Sequence, residues 1–281
     1  MSARSERSEP RSRERKAGTV KSRWLATLGV SSLVALALAT GACNVTAGGT
    51  GATPTPSASP TAMSEADAKA ALQKAAVELS KTSYKIQLAA GPVSGNGAMD
   101  PVGKNGQLTL NLFMGSATAK LDTVLIGADM WLKTDGIPVV PDKWLHLDTA
   151  RLPDDSPLGV RPGRLDPVNS EKLFDAATKI ENVGRGQFKG TVDLTKLSSS
   201  AIVDRATVET LGDRAKAVPF EATIDDQGRL TNFKMDLGTV DNVPMKVNVT
   251  YSDFGTSVSP TKPAASDVME APEAVYNLLG G

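Results

Sequence analysis

Apolar and polar residues alternate with a period of two through most of the chain beyond Lys81. In QLTLNLFM, the apolar side chains at every second position from Leu108 to Met114 fall on one side. Such alternation is typical of a strand that buries one face. It recurs in TSYKIQLAA, ATAKLDTVLIG, ADMWLKTD, KWLHLD, GQFKGTVDLTK, VPFEATID, RLTNFKMDLG and NVPMKVNVTYSDFG. The pattern predicts about nine or ten antiparallel strands.

Three segments have helical spacing instead. Ser64 and Asp67 form a capping box at the start of the first, whose apolar stripe is Ala68, Leu72, Ala75, Ala76 and Leu79. PVNSEKLFDAATKI predicts a second helix with the stripe Leu173, Ala176, Ala177 and Ile180. SSSAIVDRATVETLG predicts a third, capped by one of its serines. We expect GPVSGNG to be a hairpin connection, and SDFGTSVSPTKPAASDVMEAP to end the chain as an extended tail interrupted by prolines.

Many antiparallel strands with few helices indicate an α+β fold. A sheet this wide must twist and curl, so we expect a large, strongly curved antiparallel sheet, a half-barrel, that covers two or three helices. Its interior is either a packed core or a hollow, because both give the same alternation. The proline-rich segment from Thr149 to Pro167 is long for a loop in a compact domain, and such loops are often functional.

The N-terminal part of the chain differs in kind. An apolar run from Trp24 to Thr40 ends in small residues before Cys43, the one cysteine of the chain. This arrangement resembles a bacterial lipoprotein signal, in which the cysteine is diacylated and becomes the mature N-terminus. Thr40 stands where leucine is usual. The alternative is an ordinary cleaved signal peptide or an uncleaved anchor, with Cys43 incidental.

These features divide the chain into three parts. Residues 1–42 are a basic arm and a signal peptide, residues 43–63 are the lipidated cysteine and a disordered tether rich in Pro, Ser, Thr and Gly, and residues 64–281 are a single domain. No twin-arginine pair precedes the apolar run. We therefore expect export by the general secretion route and a lipid anchor at the outer face of the bacterial cell membrane.

Charge and cysteine content narrow the class of protein further. The formal net charge is +0, yet the arm before Trp24 is strongly basic, so the exported part must be acidic. That balance argues against nucleic acid as a partner. A single cysteine leaves no internal disulfide, so the stability of the domain must come from packing.

The residues offer no catalytic constellation. His146, the single histidine, lies in the strand segment KWLHLD, and no Gly-x-Ser-x-Gly elbow occurs. We interpret His146 as an exposed residue or one at a cavity rim. One histidine and a lipidated cysteine cannot form a metal site. We expect no enzymatic activity, no metal and no cofactor.

The order of elements resembles a known family. The segments LQKAAVELSKTSYKIQL, ADMWLKTDG, DKWLHLD, VDLTK, VPFEATIDDQGRLTNFKMDL and NVTYSDFGTSVSPTKPAASDV follow a lipoprotein signal in that order. Together they look like the LppX/LprA/LprF/LprG group of actinobacterial envelope lipoproteins, whose half-barrel is similar to the lipoprotein carrier LolA. The resemblance covers essentially the whole mature domain.

The resemblance implies an apolar cavity that binds acylated lipid or glycolipid and helps to move it across the envelope, with an envelope transporter as a further partner. Each buried methylene is worth ~0.8 kcal/mol, so a protein wall removes a large barrier to moving an acyl chain. The candidates for the lining are Leu108, Leu110, Leu112, Met114, Phe220, Ile224, Phe233, Met235, Val247, Val249 and Tyr251.

Two other functions fit the same residues. One is an envelope scaffold or surface-interaction lipoprotein with a filled core. The other is a sensory domain that presents a small apolar ligand to a partner. If the protein is a carrier, we expect the segment from Thr149 to Pro167 to be the gate of its cavity.

Overall fold

The alternating segments pair into one large sheet. The structure is a computed structural model that describes residues 63–136, 142–153, 156, 159–161, 164–166, 168–197, 203, 205–240 and 243–279. The described strands are β1 Tyr84–Ala90, β2 Val93–Asp100, β3 Asn105–Met114, β4 Ala117–Ile126, β5 Asp129–Asp135, β6 Trp144–Asp148, β7 Val160–Arg161, β8 Arg164–Leu165, β9 Ala177–Gly184, β10 Gln187–Val192, β11 Val218–Ile224, β12 Leu230–Val240, β13 Val243–Ser252 and β14 Val268–Glu270. The described α-helices are α1 Glu65–Glu78, α2 Ser170–Asp175, α3 Arg205–Leu211 and α4 Glu273–Leu278. Short 3₁₀ helices span Thr149–Arg151, Leu194–Lys196, Gly212–Ala217 and Ala265–Asp267.

Twelve of the strands form one sheet in the order β14-β6-β5-β4-β3-β2-β1-β13-β12-β11-β10-β9. The described pairings are antiparallel except that of β14 with β6, which is parallel. β9 and β14 are the edges, so the sheet is open, and β7 with β8 forms a separate hairpin. The expected α+β class is confirmed. The numbers of strands and helices are both higher than the alternation and the helical spacing predicted.

Helix α1 begins where the sequence predicts. The Ser64 hydroxyl accepts a hydrogen bond from the Asp67 amide at 3.1 Å, which caps the first turn. The predicted apolar stripe is buried and faces β9, β11, β12 and α2. Lys69 Nζ donates to the carbonyl oxygens of Asp175 and Ala177 at 2.8 and 3.0 Å. This amine therefore joins α1 to the segment between α2 and β9.

Helix α2 brings an aromatic side chain onto the sheet. The ring of Phe174 lies 6.1 Å from that of Phe220 on β11 and 5.8 Å from that of Phe233 on β12. The latter two rings stack at 5.8 Å. Edge and offset contacts of this kind add to the free energy of burying the rings themselves. The cluster fixes α2 against the centre of one half of the sheet.

The prediction for the second helix was wrong beyond Asp175. Helix α2 ends there, and Ala177 and Ile180, which were assigned to its apolar stripe, lie in strand β9. Residues 177–180 contain the β-branched Thr178 and Ile180, and β9 pairs its backbone with β10. The apolar spacing of residues 177–180 fits both a helix and a strand. The backbone pairing with β10 favours the strand.

The predicted hairpin connection at GPVSGNG is confirmed at Gly91 and Pro92, which join β1 to β2, and is wrong beyond them. Residues from Val93 onward form β2, a strand in the middle of the sheet. A Cβ at Gly95 would lie 2.5 Å from Leu110 Cδ2 on the neighbouring strand. The glycine therefore permits a close approach between β2 and β3 and does not mark a turn.

The C-terminal tail is more structured than expected. Residues 253–279, which we call the C-terminal strap, contain strand β14 and helix α4. The third predicted helix is present as α3, but residues 198–202 and 204, including its predicted capping serines, lie outside the described residues. The predicted basic arm, signal peptide and tether also lie outside them, apart from Met63.

The aromatic cluster predicts a large difference between two phenylalanines. Phe233 is 1% exposed and Phe113, on β3, is 52% exposed. We expect Phe233→Ala to lower the free energy of unfolding by ~3–5 kcal/mol, because it removes a ring from a packed cluster. The control Phe113→Ala should change it by less than ~0.5 kcal/mol. Denaturant unfolding measures both, and equal small effects would show that the cluster is loosely packed.

Candidate functional site

The register of the strands places rows of mostly apolar residues on one face of the sheet. We call this face the inner face. The first row runs over Phe220, Met235, Val247, Ala90, Val93, Leu112 and Ala119. The second runs over Ala222, Phe233, Val249, Leu88, Gly95, Leu110, Leu121 and Thr134. The third runs over Tyr251, Ile86, Gly97, Leu108, Thr123, Leu132 and Leu145.

The register brings most of the predicted lining residues together on the inner face. Leu108, Leu110, Phe220, Phe233, Met235, Val247, Val249 and Tyr251 are each at most 4% exposed. Leu112 and Ile224 are half-buried. Met114 ends β3, and its side chain lies outside the described part of the structure. In this structure, other protein atoms cover the buried members of the set, and their role as a lipid lining stays a prediction.

One end of the inner face is less completely covered. Val93, Leu112, Leu121 and Met245, which we call the open end, are half-buried and pack against the core. Val93 lies opposite Leu112, and a Cβ at Gly91, at the start of the β1–β2 turn, would lie 3.2 Å from Met245 Cγ. The four side chains thus form one aliphatic margin shared by β13, β2, β3 and β4.

A hydroxyl without a partner lies beside the open end. Thr134 on β5 is opposite Leu121, and its Oγ1 is buried with no hydrogen-bond partner among the described residues. A buried hydroxyl left unpaired costs ~1–3 kcal/mol. Such a group is a ready hydrogen-bonding partner for a polar atom on an otherwise apolar ligand.

The loop between β6 and α2 also packs on the inner face. Leu152 is buried, and hairpin strand β8 contacts β2 and β3. Ser156 is 3% exposed and its Oγ has no partner among the described residues. Residues 154–155, 157–158, 162–163 and 167 of this segment lie outside the described residues, and its role as a gate stays a prediction.

The Tyr251 hydroxyl contacts a polar residue, Ser170, that the alternation of apolar and polar positions does not predict. The two hydroxyl oxygens lie 3.2 Å apart, and the Ser170 amide donates to the Asp166 carboxylate at 3.0 Å. Ser170 is 1% exposed. The start of α2 therefore brings a small polar network into contact with the third row of the inner face.

His146 lies on the opposite, outer face. Its Nδ1 is 2.9 Å from Glu270 on β14 and its Nε2 is 2.7 Å from Asp129 on β5. The ring packs on Trp131 with centroids 5.4 Å apart. Burial lowers the pKa of His146, and the hydrogen bonds and charges of the two carboxylates raise it by more, so the pKa lies above its ordinary 6.5. Both ring nitrogens are engaged with carboxylates, which makes the residue a structural link between three strands.

The same edge of the sheet holds helix α4 of the C-terminal strap. Arg151 donates to the Glu273 carboxylate at 2.6 Å and stacks 3.7 Å above the Tyr276 ring. The Tyr276 hydroxyl accepts a hydrogen bond from the Asp148 amide at 2.9 Å. These contacts fasten helix α4 beside the end of β6.

Within the described ranges, no group of three or more His, Cys, Asp or Glu residues could hold a metal ion. No helix among the described residues is long and apolar enough to cross a membrane. Cys43 and the apolar run before it lie outside those residues, so the anchor stays a prediction.

The chain matches no protein-family model and no curated protein.

The His146 geometry predicts a pH dependence. A raised folded-state pKa means that His146 stabilises the fold at pH below its unfolded pKa of about 6.5, and that this contribution is lost as pH rises through the folded pKa. As the chain has one histidine, an NMR titration reports its pKa directly. We expect a value above 6.5 that falls in Glu270→Gln.

The matched control for this titration is Glu273→Gln, on the same strap as Glu270. It removes the ion pair between Glu273 and Arg151 and should leave the pKa of His146 unchanged. A pKa of His146 at or below 6.5 in the unmodified protein would contradict the geometry.

Proposed function

We propose that this chain is a membrane-anchored envelope lipoprotein of the LppX/LprA/LprF/LprG type with a LolA-like half-barrel. It binds acylated lipid or glycolipid on the inner face and carries or presents it across the envelope. The observation that supports this most is the continuous apolar inner face of an open sheet, which ends in the half-buried aliphatic side chains of the open end. The proposal needs no catalytic group, metal or cofactor.

The energetics favour an acyl chain as the ligand. Each methylene transferred from water to an apolar wall contributes ~0.8 kcal/mol. The open end offers aliphatic side chains and methionine, which adapts its shape to a flexible chain. The unpaired Thr134 hydroxyl gives one polar contact near that wall, suited to an ester or hydroxyl oxygen.

A second function has support of its own. Eight of the predicted lining residues are at most 4% exposed, so the centre of the inner face is packed by protein in this structure. A scaffold or surface-interaction lipoprotein needs no more than such a filled core. A carrier with the same interior has to admit lipid by displacing side chains or the loop between β6 and α2.

Native mass spectrometry separates these two functions. The full chain is extracted in detergent from its host envelope, and bound lipid is identified after extraction. The carrier predicts acyl lipid in stoichiometric amount. A ligand-free mass that does not change on incubation with host lipid extract would contradict the carrier and favour the scaffold.

Two neighbouring residues of β3 provide matched variants for that experiment. Leu112 belongs to the open end, whereas Phe113 points to the outer side and is 52% exposed. We expect Leu112→Asp to lose most of the bound lipid, because a carboxylate cannot be solvated beside an acyl chain. Phe113→Asp should retain it. Melting temperatures show that both variants are folded, and equal lipid content in the two would exclude the open end as the binding site.

The anchor is tested separately. Cells that incorporate an alkyne-bearing palmitate should label the protein, and Cys43→Ser should remove the label because the acceptor thiol is absent. Ser57→Ala, in the predicted tether, is the control and should keep it. Label that persists in Cys43→Ser, or that is absent from the unmodified protein, would contradict lipidation at Cys43.

A further inference from the structure

The outer face of the sheet carries a groove that the proposed function does not use. Two adjoining depressions of ≈ 400 and ≈ 370 Å³ share Asn96 on β2. The first extends over β13, β1, β2 and β3, and the second reaches β4 and Trp144 on β6. We call the two together the outer groove. Strands are spaced ~4.8 Å apart, so its course from β13 to β4 covers about 19 Å.

Amides and hydroxyls provide most of the polar lining of the outer groove. The strand register aligns them in two rows. The first row runs over Thr250, Gln87, Asn96 and Thr109. The second runs over Asn248, Ala89, Ser94 and Asn111, of which Ala89 alone is apolar. The depression over β13 to β3 has no charged residue in its lining. A row of this kind presents alternating donors and acceptors and no net charge.

The charges at the margin of the outer groove are neutralised by protein partners. Lys85 Nζ lies 2.8 Å from the Asp253 carboxylate, and Asp122 lies 2.7 Å from Lys120 Nζ. An anionic ligand would therefore have to compete with Asp253 for Lys85. The electrostatics of the groove favour a neutral ligand.

Several side chains in the groove have unused hydrogen-bonding capacity. In the part of the chain that the structure describes, the side chains of Gln87, Ser94, Asn96 and Asn111 bond to no other protein group. By contrast, Asn248 on β13 accepts a hydrogen bond from Asn232 Nδ2 at 3.0 Å. The Thr109 hydroxyl on β3 donates to Asp122 at 2.6 Å. These bonds orient Asn248 and Thr109 on the two sides of the outer groove. The amides of Gln87 on β1 and Asn96 on β2 lie on the two strands between Asn248 and Thr109.

From this chemistry we propose that the outer groove binds a neutral, hydroxyl-rich chain, a glycan. A primary amide donates through its NH₂ group and accepts through its oxygen, so it can bind two neighbouring hydroxyls at once. Ala89 and the half-buried ring of Trp144 offer small apolar surfaces for the C–H side of a sugar ring.

A peptide fits the outer groove less well. An extended peptide commonly binds by adding a strand to a free sheet edge, whereas the groove crosses strands that are paired on both sides. The groove also offers few apolar pockets for side chains. Because successive residues of a strand point to opposite faces, glycan bound here leaves the inner face free for an acyl chain.

The test uses the full chain in detergent and a panel of soluble neutral polysaccharides, namely dextran, mannan, xylan and laminarin. Affinity electrophoresis and titration calorimetry should show that at least one is bound. The double variant Asn96→Ala, Asn111→Ala should weaken that binding about tenfold or more, since two hydrogen-bonding side chains are lost. Gln187→Ala, an exposed amide on β10 outside the groove, is the control and should bind normally.

Salt gives an independent readout. Binding to a neutral glycan should be unaffected when NaCl is raised from 0.1 to about 0.5 M, because no ion pair is formed with the ligand. Circular dichroism confirms that the variants are folded. Failure of the whole panel to bind, unaltered binding in the double variant, or capture of random peptides instead of polysaccharide would each overturn the proposal. None of these results bears on lipid content, so this proposal and the carrier fail independently.

Discussion

The inner face of an open twelve-stranded sheet has to be kept from water, and most of the molecule is arranged to do so. Helix α1 contacts the sheet through Ala68, Ala75 and Ala76, whose small side chains let the helix lie close to the strands. Helix α2 adds Phe174 to the rings on β11 and β12. The loop before α2 and the C-terminal helix cover other parts of the same face. Without these elements the rows of aliphatic residues would be exposed along the width of the sheet.

Coverage is complete at the centre and incomplete at the open end. Under the proposed function, an acyl chain that enters beside Leu112 and Leu121 would first cover this half-buried margin, and only a longer chain would have to displace packed side chains. The unpaired hydroxyl of Thr134 lies at the same margin. In that proposal the acyl chain inserts partially and makes one polar contact near its point of entry.

Alternation along the chain was enough to predict the α+β class and to separate inner from outer residues on strands such as β3 and β13. It failed at Ala177–Gly184 because the apolar spacing there suits a helix and a strand equally, and only pairing with β10 distinguishes them. It extended the β1–β2 connection too far, into β2, because glycines that permit contact with β3 look like turn residues in the sequence. Both errors concern contacts with a neighbouring strand, which the spacing of residues along one segment does not reveal.

The polar sites were harder to foresee for the same reason. His146 was expected at an exposed or rim position, but its partners Asp129 and Glu270 come from other strands. The outer groove depends on Gln87, Asn96 and Asn111 being brought together by strand register, and each alone is an ordinary surface amide. Thr134 is distinguished only by the burial of its hydroxyl, which a sequence does not reveal.

The proposed function requires the inner face to receive an acyl chain at the open end. Photo-crosslinking with a palmitate analogue that carries a diazirine at its tail tests it most directly, with peptide mapping of the adducts. We expect adducts on Val93, Leu112, Leu121 or Met245 that unlabelled palmitate suppresses. Adducts confined to the outer face, or adducts that excess palmitate does not reduce, would contradict it.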